Sequence, residues 1–330
     1  MTKTIGIKTA TWLLPAILLM GISSVEAQQP PKIPRIGYVS GSGDASNPGP
    51  YVEALRQGLR DLGYIEGKNF VIEYRGAGGR AGPMNSLVRE LVQLNVDVLI
   101  VPTYSAIRSA KESTTTIPII MITQVDPVAA GLVQSLARPG GNITGFATFQ
   151  RDLSGKRLEL LAEVIPGISR IAILRDPDVA FYYKDYESAA RGLKIKLQSL
   201  DVRGSNPDLE GSFQAAVKGR ANALITVTNN TLFRNSKRIA ELAIKNRLPS
   251  MYEGGSWVEA GGLMSYSAND LEVFRRAATY VDKILKGAKP GDLPIEQPKK
   301  FELVINLKTA NQIGLTIPEP VLYRADKVIK

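Results

Sequence analysis

The feature that most constrains the fold is the apolar run at residues 117–123, which leads directly into an Asp-Pro pair. The run reads IPIIMIT, and its length and β-branched content are typical of a buried parallel strand. Asp126 offers an acceptor at a helix start and the proline after it suits a first turn, so we predict a helix over residues 127–138. Residues 143–149 form the next predicted strand. Ligands of open parallel sheets bind beyond the carboxyl ends of strands, so the loop 123–126 points to a binding crevice.

Short apolar runs alternate with amphipathic segments along the rest of the chain. Further strands are predicted at residues 35–40, 70–74, 96–101, 170–174, 196–202, 223–227, 249–252, 263–266 and 301–306. Helices are predicted at residues 51–62, 87–94, 104–113, 155–164, 182–192, 209–218, 235–245 and 271–285. Because the alternation restarts near residue 150, it predicts an α/β fold of two doubly wound parallel-sheet lobes with a ligand cleft between them. We expect residues 33–149 with about 267–295 in the first lobe, and residues 150–266 with about 296–330 in the second.

Residues 1–27 have the pattern of a secretory signal. Lys3 and Lys8 give a positive start, residues 12–22 are apolar, and small residues precede a predicted cut after Ala27. An uncleaved membrane anchor is the alternative, but the apolar run is shorter than the ~20 residues that a bilayer span needs. We therefore expect export and a periplasmic location.

The composition excludes several classes of enzyme. The chain has no Cys and no His, which removes the thiolate nucleophile, the most frequent general base and the most frequent metal ligand. We expect no catalytic residues, no metal ion and no cofactor. The formal charge is +10, but Lys and Arg are spread along many helices, a pattern typical of solvated faces, so no nucleic acid is expected as a partner.

Four segments of the chain carry a resemblance to a known family. They read DPVAAGLVQSLARPGGNITG (126–145), GLRDLGYIEGKNFVIEYR (58–75), SGKRLELLAEVIPGISRIAIL (154–174) and EAGGLMSYSANDLEVFRRAATYVDKILKGAKPGDLPIEQPKKFELVINLKTANQIGLTIP (259–318). In these segments the chain resembles the substrate-binding proteins of ABC importers, of the tryptophan/tyrosine type. The resemblance implies a type I periplasmic-binding fold whose lobes close over ligand on a hinge, as a Venus flytrap does.

The resemblance also implies a function. We expect a periplasmic solute-binding component of an ABC importer, a monomer with no enzymatic activity. Its expected partners are a small-molecule ligand and the membrane permease of the importer. The expected cargo is a small carboxylate, an aromatic one or an amino acid.

The ligand-binding loops of the family correspond to five short segments of this chain. The residues that the resemblance places at the ligand are Ser40, Gly41, Thr103, Tyr104, Ser105, Gln124, Asp126, Thr228, Asn229, Asn230, Glu253 and Trp257. Helix starts at Ser105 and Asn230 are able to offer free backbone N–H groups to a ligand carboxylate.

Two departures from the family bear on an ammonium group in the cargo. Relatives that bind amino acids carry Thr just before the Asp-Pro pair and Asp near position 254, whereas this chain has Val125 and Gly254. Glu253 is adjacent, but a shift by one residue on a strand turns a side chain to the other face. The sequence therefore identifies no clear acceptor for an ammonium group.

Several residues keep two interpretations. Asp126 either caps a helix or contacts ligand, and Tyr104 and Trp257 are either core aromatics or stacking surfaces for cargo. An exported α/β enzyme would need a carboxylate pair such as Asp176 and Asp178, but a turn around the proline between them explains that pair as well. A transcriptional regulator of the same fold would need a DNA-binding segment where this chain has a signal-like sequence.

Overall fold

The computed structural model describes residues 1–2, 32–41, 46–76, 84–148, 153–177, 180–204, 206–227 and 229–330, with the side chains of 180–182 and 230 outside that description. Met1–Lys32 and Ile33–Lys330 form separate units. Residues 3–27 of the predicted signal lie outside the described residues. Within the described ranges, no helix is both long enough and apolar enough to cross a bilayer.

The first sheet has five strands, and all of its pairs are parallel. The strands are β1 (Arg35–Ser40), β2 (Val71–Gly76), β3 (Val98–Val101), β4 (Ile119–Thr123) and β5 (Ile143–Ala147). Their order is β2-β1-β3-β4-β5. The helices between them are α1 (Pro50–Asp61), α2 (Met84–Gln93) and α3 (Tyr104–Ser113). Every residue of β3, β4 and β5 is buried, as expected for parallel strands covered on both faces.

The second sheet has seven strands. They are β6 (Arg170–Arg175), β7 (Lys196–Asp201), β8 (Ala223–Thr226), β9 (Ser250–Tyr252), β10 (Met264–Ala268), β11 (Phe301–Asn306) and β12 (Lys327–Ile329), in the order β12-β11-β10-β9-β8-β6-β7. Only the β10–β11 pair is antiparallel among these described strands. The helices that follow α3 are α4 (Ser154–Val164), α5 (Ala180–Gly192), α6 (Leu209–Lys218), α7 (Asn230–Arg234), α8 (Ser236–Lys245), α9 (Gly255–Glu259), α10 (Asp270–Leu285), α11 (Leu307–Ile313) and α12 (Glu319–Tyr323).

Helix α10 links the two halves of the fold. It follows β10 of the second sheet, but its Phe274 and Val281 share a buried core with Tyr38 of the first sheet. Gly58 of α1 permits this packing, because a Cβ at that position would lie 2.2 Å from the carbonyl oxygen of Arg275. The chain therefore passes between the sheets three times: after β5, after β10 and before β11.

Residues 127–138 form turns, so the helix predicted for them is wrong. Gly131 adopts a φ of +66°, in the left-handed region that does not continue a right-handed helix. The Leu132 N–H bonds to the carbonyl oxygen of Pro127, which closes a turn. Leu132 and Val133 are nevertheless buried against the first sheet, and this burial explains the helix-like apolar spacing.

Candidate functional site

A cleft of about 430 Å³ lies between the two sheets, where strands of both sheets end. On the side of the first sheet it is lined by Ser40 at the end of β1, Thr103 after β3 and Thr123 at the end of β4. On the side of the second sheet it is lined by Glu253 after β9 and Asp270 after β10. The position agrees with the general rule for ligand crevices in parallel sheets.

The structure brings nine of the twelve predicted site residues into the wall of this cleft. They are Ser40, Gly41, Thr103, Tyr104, Ser105, Gln124, Asn229, Glu253 and Trp257. Thr228 and the side chain of Asn230 lie outside the described part of the chain. Asp126 is described, and it is not part of the cleft wall.

Asp126 has a capping role. Its Oδ1 accepts hydrogen bonds from the backbone N–H groups of Val128 and Ala129 at 2.9 and 3.1 Å. These bonds satisfy the first donors of the turn that replaces the predicted helix. The Asp126 carboxylate therefore caps its own turn, and it is not part of the cleft wall.

Helix α3 presents its amino-terminal end to the cleft. Thr103 caps it, accepting a hydrogen bond from the Ala106 N–H at 3.3 Å, and Tyr104 and Ser105 form its first turn. First-turn amides have no acceptor inside their own helix, and they are positioned to bind an anion such as a carboxylate. Helix α7 begins at the opposite side, where the Asn229 side chain accepts from the Leu232 N–H at 2.8 Å.

A band of aromatic side chains crosses the cleft from one sheet to the other. Tyr51 stacks on Phe274 with ring centroids 4.6 Å apart, and it lies 6.5 Å from Phe233. Phe233 in turn meets Trp257 edge to face at 6.1 Å. Sequence reasoning missed Tyr51, Phe233 and Phe274, because aromatic residues at helical spacing are indistinguishable from core residues.

Trp257 is more deeply buried than a stacking surface for cargo would be. Its side chain is 1% exposed and stacks on Tyr252 with centroids 5.0 Å apart, within the core beneath the second sheet. Tyr104 is partly buried and packs against the core of the first sheet while lining the cleft. Core packing is therefore the better interpretation of Trp257. Tyr104 both packs against the core and presents a surface to the cleft.

Glu253 is engaged in a buried ion pair. Its Oε1 lies 3.1 Å from Nη1 of Arg157 and accepts a hydrogen bond from the Tyr186 hydroxyl at 3.0 Å. Arg157 is fully buried, and its Nε donates to the carbonyl oxygen of Tyr266 at 2.9 Å. Burial raises the pKa of the Tyr186 hydroxyl, which keeps it a donor. The Glu253 carboxylate therefore already has a cationic partner within the protein.

Asp270 is the carboxylate that the sequence analysis did not identify. It is partly buried at the start of α10, and the Tyr51 hydroxyl donates to its Oδ2 over 3.5 Å. Burial raises the pKa of Asp270 from 3.8 to about 7, although the Tyr51 hydrogen bond and the charge of Arg157 oppose that shift. Asn269 caps α10 through the Glu272 N–H at 3.0 Å, so Asp270 is not used as a cap. The sequence signal that could have identified Asp270 is the presence of an acidic residue just after a buried strand.

The remaining acidic residue of the wall, Asp176, accepts a hydrogen bond from Nδ2 of Asn229 at 2.8 Å. Asp178, its partner in the hypothetical catalytic pair, lies outside the described residues. Among the residues that the structure describes, no three acidic side chains are grouped in a way that could hold a metal ion.

Comparison with known proteins identifies the family. The profile described as "ABC transporter substrate binding protein" matches residues 44–329. A tyrosine-binding protein from Clostridioides difficile is 24% identical over 270 residues, which cover 78% of this chain and 74% of that protein.

Two solved structures superimpose on 90% of the chain, each with a TM-score of 0.81. One is a conserved domain protein from Vibrio cholerae, 28% identical and covered completely. The other is an ABC domain from Streptococcus pneumoniae in complex with L-Trp, 23% identical and covered to 99%. The likeness to this structure supports the two-lobed α/β fold.

The chain belongs to the family of ABC transporter substrate-binding proteins. It is the solute-binding component of an ABC transporter and not an enzyme.

Proposed function

We propose that the cleft binds a small aromatic cargo with a carboxylate group, either an aromatic amino acid or a related aromatic acid. The observation that carries the proposal is the aromatic band, in which Tyr51, Phe274 and Phe233 reach the cleft from both sheets and Trp257 packs behind Phe233. Aromatic side chains bind planar rings through large apolar contact areas with offset or edge-on geometry. The relatives that are named for tyrosine and L-Trp support this class of cargo.

The cleft also has groups suited to a carboxylate. The first turn of α3 supplies backbone N–H groups at Tyr104 and Ser105, and the helix dipole adds to their attraction for an anion. Ser40 adds a hydroxyl group to the wall. These donors lie on the side of the first sheet, so a bound carboxylate would face α3.

We further propose that the protein works in the periplasm after removal of residues 1–27, as a monomer that delivers cargo to a membrane permease. The signal-like sequence of that segment supports the location. The division into lobes that we propose, residues 33–149 with about 267–295 and residues 150–266 with about 296–330, is supported by the sheet order and by the core that α10 shares with the first sheet.

A thermal-shift panel tests the proposed cargo. L-tyrosine, L-tryptophan and L-phenylalanine, two aromatic acids without an amino group, and the controls L-leucine and glucose would be added to the purified protein. A ligand that binds only the folded state raises the unfolding midpoint. We expect a rise with at least one aromatic compound and none with the controls. A panel in which no aromatic compound raises the midpoint would contradict the proposal.

A further inference from the structure

The second sheet has a cationic edge on the side away from the cleft. Helices α5, α6 and α8 each start on the cleft side and end in a turn that leads into β7, β8 or β9. Because β6 to β9 are parallel neighbours, these three turns lie along one edge of the sheet, opposite to the cleft. The cationic edge consists of the basic residues of the three turns and the first residue of β6, namely Arg170, Arg191, Lys194, Lys196, Lys218, Arg220, Lys245 and Arg247.

The cationic edge contains no acidic residue. Its three turns span residues 191–196, 218–222 and 245–249, with seven Lys or Arg and no Asp or Glu. Within the described ranges, none of the eight cations of the edge forms an ion pair with a carboxylate. The fold therefore gathers in one place basic residues that are spread along several helices in the sequence.

The first sheet has no such edge. The turns that follow its helices α1, α2 and α3 are residues 61–70, 93–97 and 113–118. They contain one Lys and three acidic residues, so their charge is of the opposite sign. The cationic edge is thus a property of the second sheet and does not follow from the net charge of the chain alone.

Three cations of the edge occupy backbone positions that favour glycine. Lys194, Arg220 and Arg247 have φ angles of +56°, +56° and +50°, in the left-handed region. Each lies just beyond a helix end, where its N–H bonds to the carbonyl oxygen three residues earlier and the following N–H bonds to the one five residues earlier. Glycine is the usual residue in this turn, so each long side chain here costs backbone free energy.

Helix stability does not account for these three residues. A cation near a helix end is favourable because it interacts with the negative end of the helix dipole. Helices α5, α6 and α8 already have such a cation in their last turns, at Arg191, Lys218 and Lys245. A second cation beyond each helix end adds like charge to one surface, which is unfavourable unless an anionic partner is present.

Two exposed apolar side chains lie among the cations. Leu193 lies between Arg191 and Lys194, and Val217 precedes Lys218. Apolar side chains flanked by Lys and Arg are typical of surfaces that bind an anionic membrane, because the cations meet lipid phosphates while the apolar groups enter the boundary with the acyl chains. A nucleic acid would use the charge of the edge and leave these apolar side chains in water.

We propose that the cationic edge binds the surface of a bilayer that contains anionic phospholipid and holds the protein there reversibly. The edge and the cleft lie at opposite ends of the same strands, so the cleft stays open to solvent while the edge is bound. The choice of a membrane as the partner rests on the proposed periplasmic location. It does not depend on the identity of the cargo, and cargo binding is measured separately.

Vesicle sedimentation tests this proposal. The protein without residues 1–27 is used, because the fold lies in Ile33–Lys330 and the apolar start of the chain would bind vesicles by itself. Vesicles of equal parts phosphatidylglycerol and phosphatidylcholine are compared with vesicles of phosphatidylcholine alone, at low and at high salt. We expect binding to the anionic vesicles only, weakened by salt because ions screen the charges. Equal binding to both kinds of vesicle, or binding to a DNA duplex and not to anionic vesicles, would overturn the proposal.

A glycine variant separates membrane binding from stability. The combined substitutions Lys194→Gly, Arg220→Gly and Arg247→Gly remove three charges and supply the residue that each backbone position favours, so the fold is kept. Each Lys or Arg near an anionic surface contributes about fivefold in affinity, so we expect the variant to bind the anionic vesicles about 100-fold more weakly. Its unfolding midpoint and its affinity for cargo should stay close to those of the parent protein.

A matched variant controls for net charge. Lys68→Gln, Arg89→Gln and Arg138→Gln together remove three charges from exposed residues of the first half of the chain. Charges far from the bound surface are screened, so this variant should keep the parent's affinity for anionic vesicles within about threefold. Parent-like vesicle binding by the glycine variant, or equal losses in the two triple variants, would overturn the proposal and leave the proposed cargo untouched.

Discussion

Tyr51 and Phe233 stack across the cleft, with ring centroids 6.5 Å apart and ring planes inclined by 27°. Tyr51 lies on α1, which packs against the first sheet, and Phe233 lies on α7, beside the second sheet. The Tyr51 hydroxyl also lies 3.4 Å from Oγ of Ser256 on α9. One tyrosine therefore connects the two halves of the fold beside the space that the cargo would occupy.

Replacing Tyr51 by Ala should weaken cargo binding, measured by calorimetry with L-tyrosine or L-tryptophan. The variant removes a ring and a hydroxyl that would contact the cargo, and since an aromatic pair and a hydrogen bond each contribute roughly 0.5–1.5 kcal/mol, the expected loss of binding free energy is about 1–3 kcal/mol. Tyr51→Phe keeps the ring and should lose less, about 0.5–1.5 kcal/mol for the hydroxyl. Tyr323→Ala is the matched control, because Tyr323 is 93% exposed. Parent-like affinity in Tyr51→Ala would show that the aromatic band is not the binding surface.

The strands and several helices follow from local sequence. The predicted helix at residues 209–218 has the same bounds in the structure, and the buried run at 117–123 contains β4. Nine of the residues that the resemblance placed at the ligand line the cleft, and most of them follow the carboxyl end of a strand, a position that local sequence is able to indicate. The helix predicted for residues 127–138 is wrong because Gly131 adopts a left-handed conformation that ends a right-handed helix, whatever the spacing of the apolar residues.

The rest of the site depends on contacts between residues far apart in the chain. Glu253 is paired with Arg157, which lies 96 residues away in the chain, and nothing in the local sequence indicates that ion pair. Asp270 belongs to the cleft only because α10 crosses to the first sheet and meets Tyr51, which lies 219 residues away in the chain. Such pairings are set by packing between helices and leave no periodic pattern in the sequence.

The stability of the free protein should rise with acid, with Asp270 as the cause. The pKa of Asp270 is higher in the folded protein than its ordinary value of 3.8, so between these values the folded state holds the proton more strongly. Its contribution to stability is therefore present below pH 3.8 and is lost as the pH rises toward about 7. At pH 8 we expect Asp270→Asn to melt roughly 2–4 °C above the parent, about 1 kcal/mol for a protein of this size. A lower midpoint for the variant at pH 8 would contradict the raised pKa of the Asp270 carboxyl.

The buried ion pair provides a separate prediction about stability. Arg157→Met would leave Glu253, which is 5% exposed, without its cation, and breaking a buried pair costs about 3–5 kcal/mol of unfolding free energy. Adding Glu253→Gln in the same chain should recover part of that loss. The exposed pair of Arg238 and Glu210 supplies the control, since solvent screens an exposed pair and Arg238→Met should change stability far less than Arg157→Met. Urea denaturation measures all three variants, and similar losses for Arg157→Met and Arg238→Met would show that the buried pair is not structural.

Trp257→Phe should lower stability and leave affinity nearly unchanged. The indole is 1% exposed and packs between Tyr252 and Phe233, so the smaller ring leaves a cavity that costs about 1–3 kcal/mol. Urea denaturation measures the first effect and calorimetry with L-tryptophan the second. A large loss of affinity at parent-like stability would instead make the indole a direct contact of the cargo.

The central claim is the proposal that the cleft binds an aromatic cargo with a carboxylate group and releases it unchanged. Isothermal titration of the purified protein with L-tyrosine, L-tryptophan and an aromatic acid without an amino group, followed by mass spectrometry of the released compound, tests that claim most directly. The account predicts saturable binding of at least one of them at one molecule per chain, weaker binding after Tyr51→Ala, and recovery of the compound unchanged. Absence of binding for all three compounds, or recovery of a chemically altered product, would contradict it.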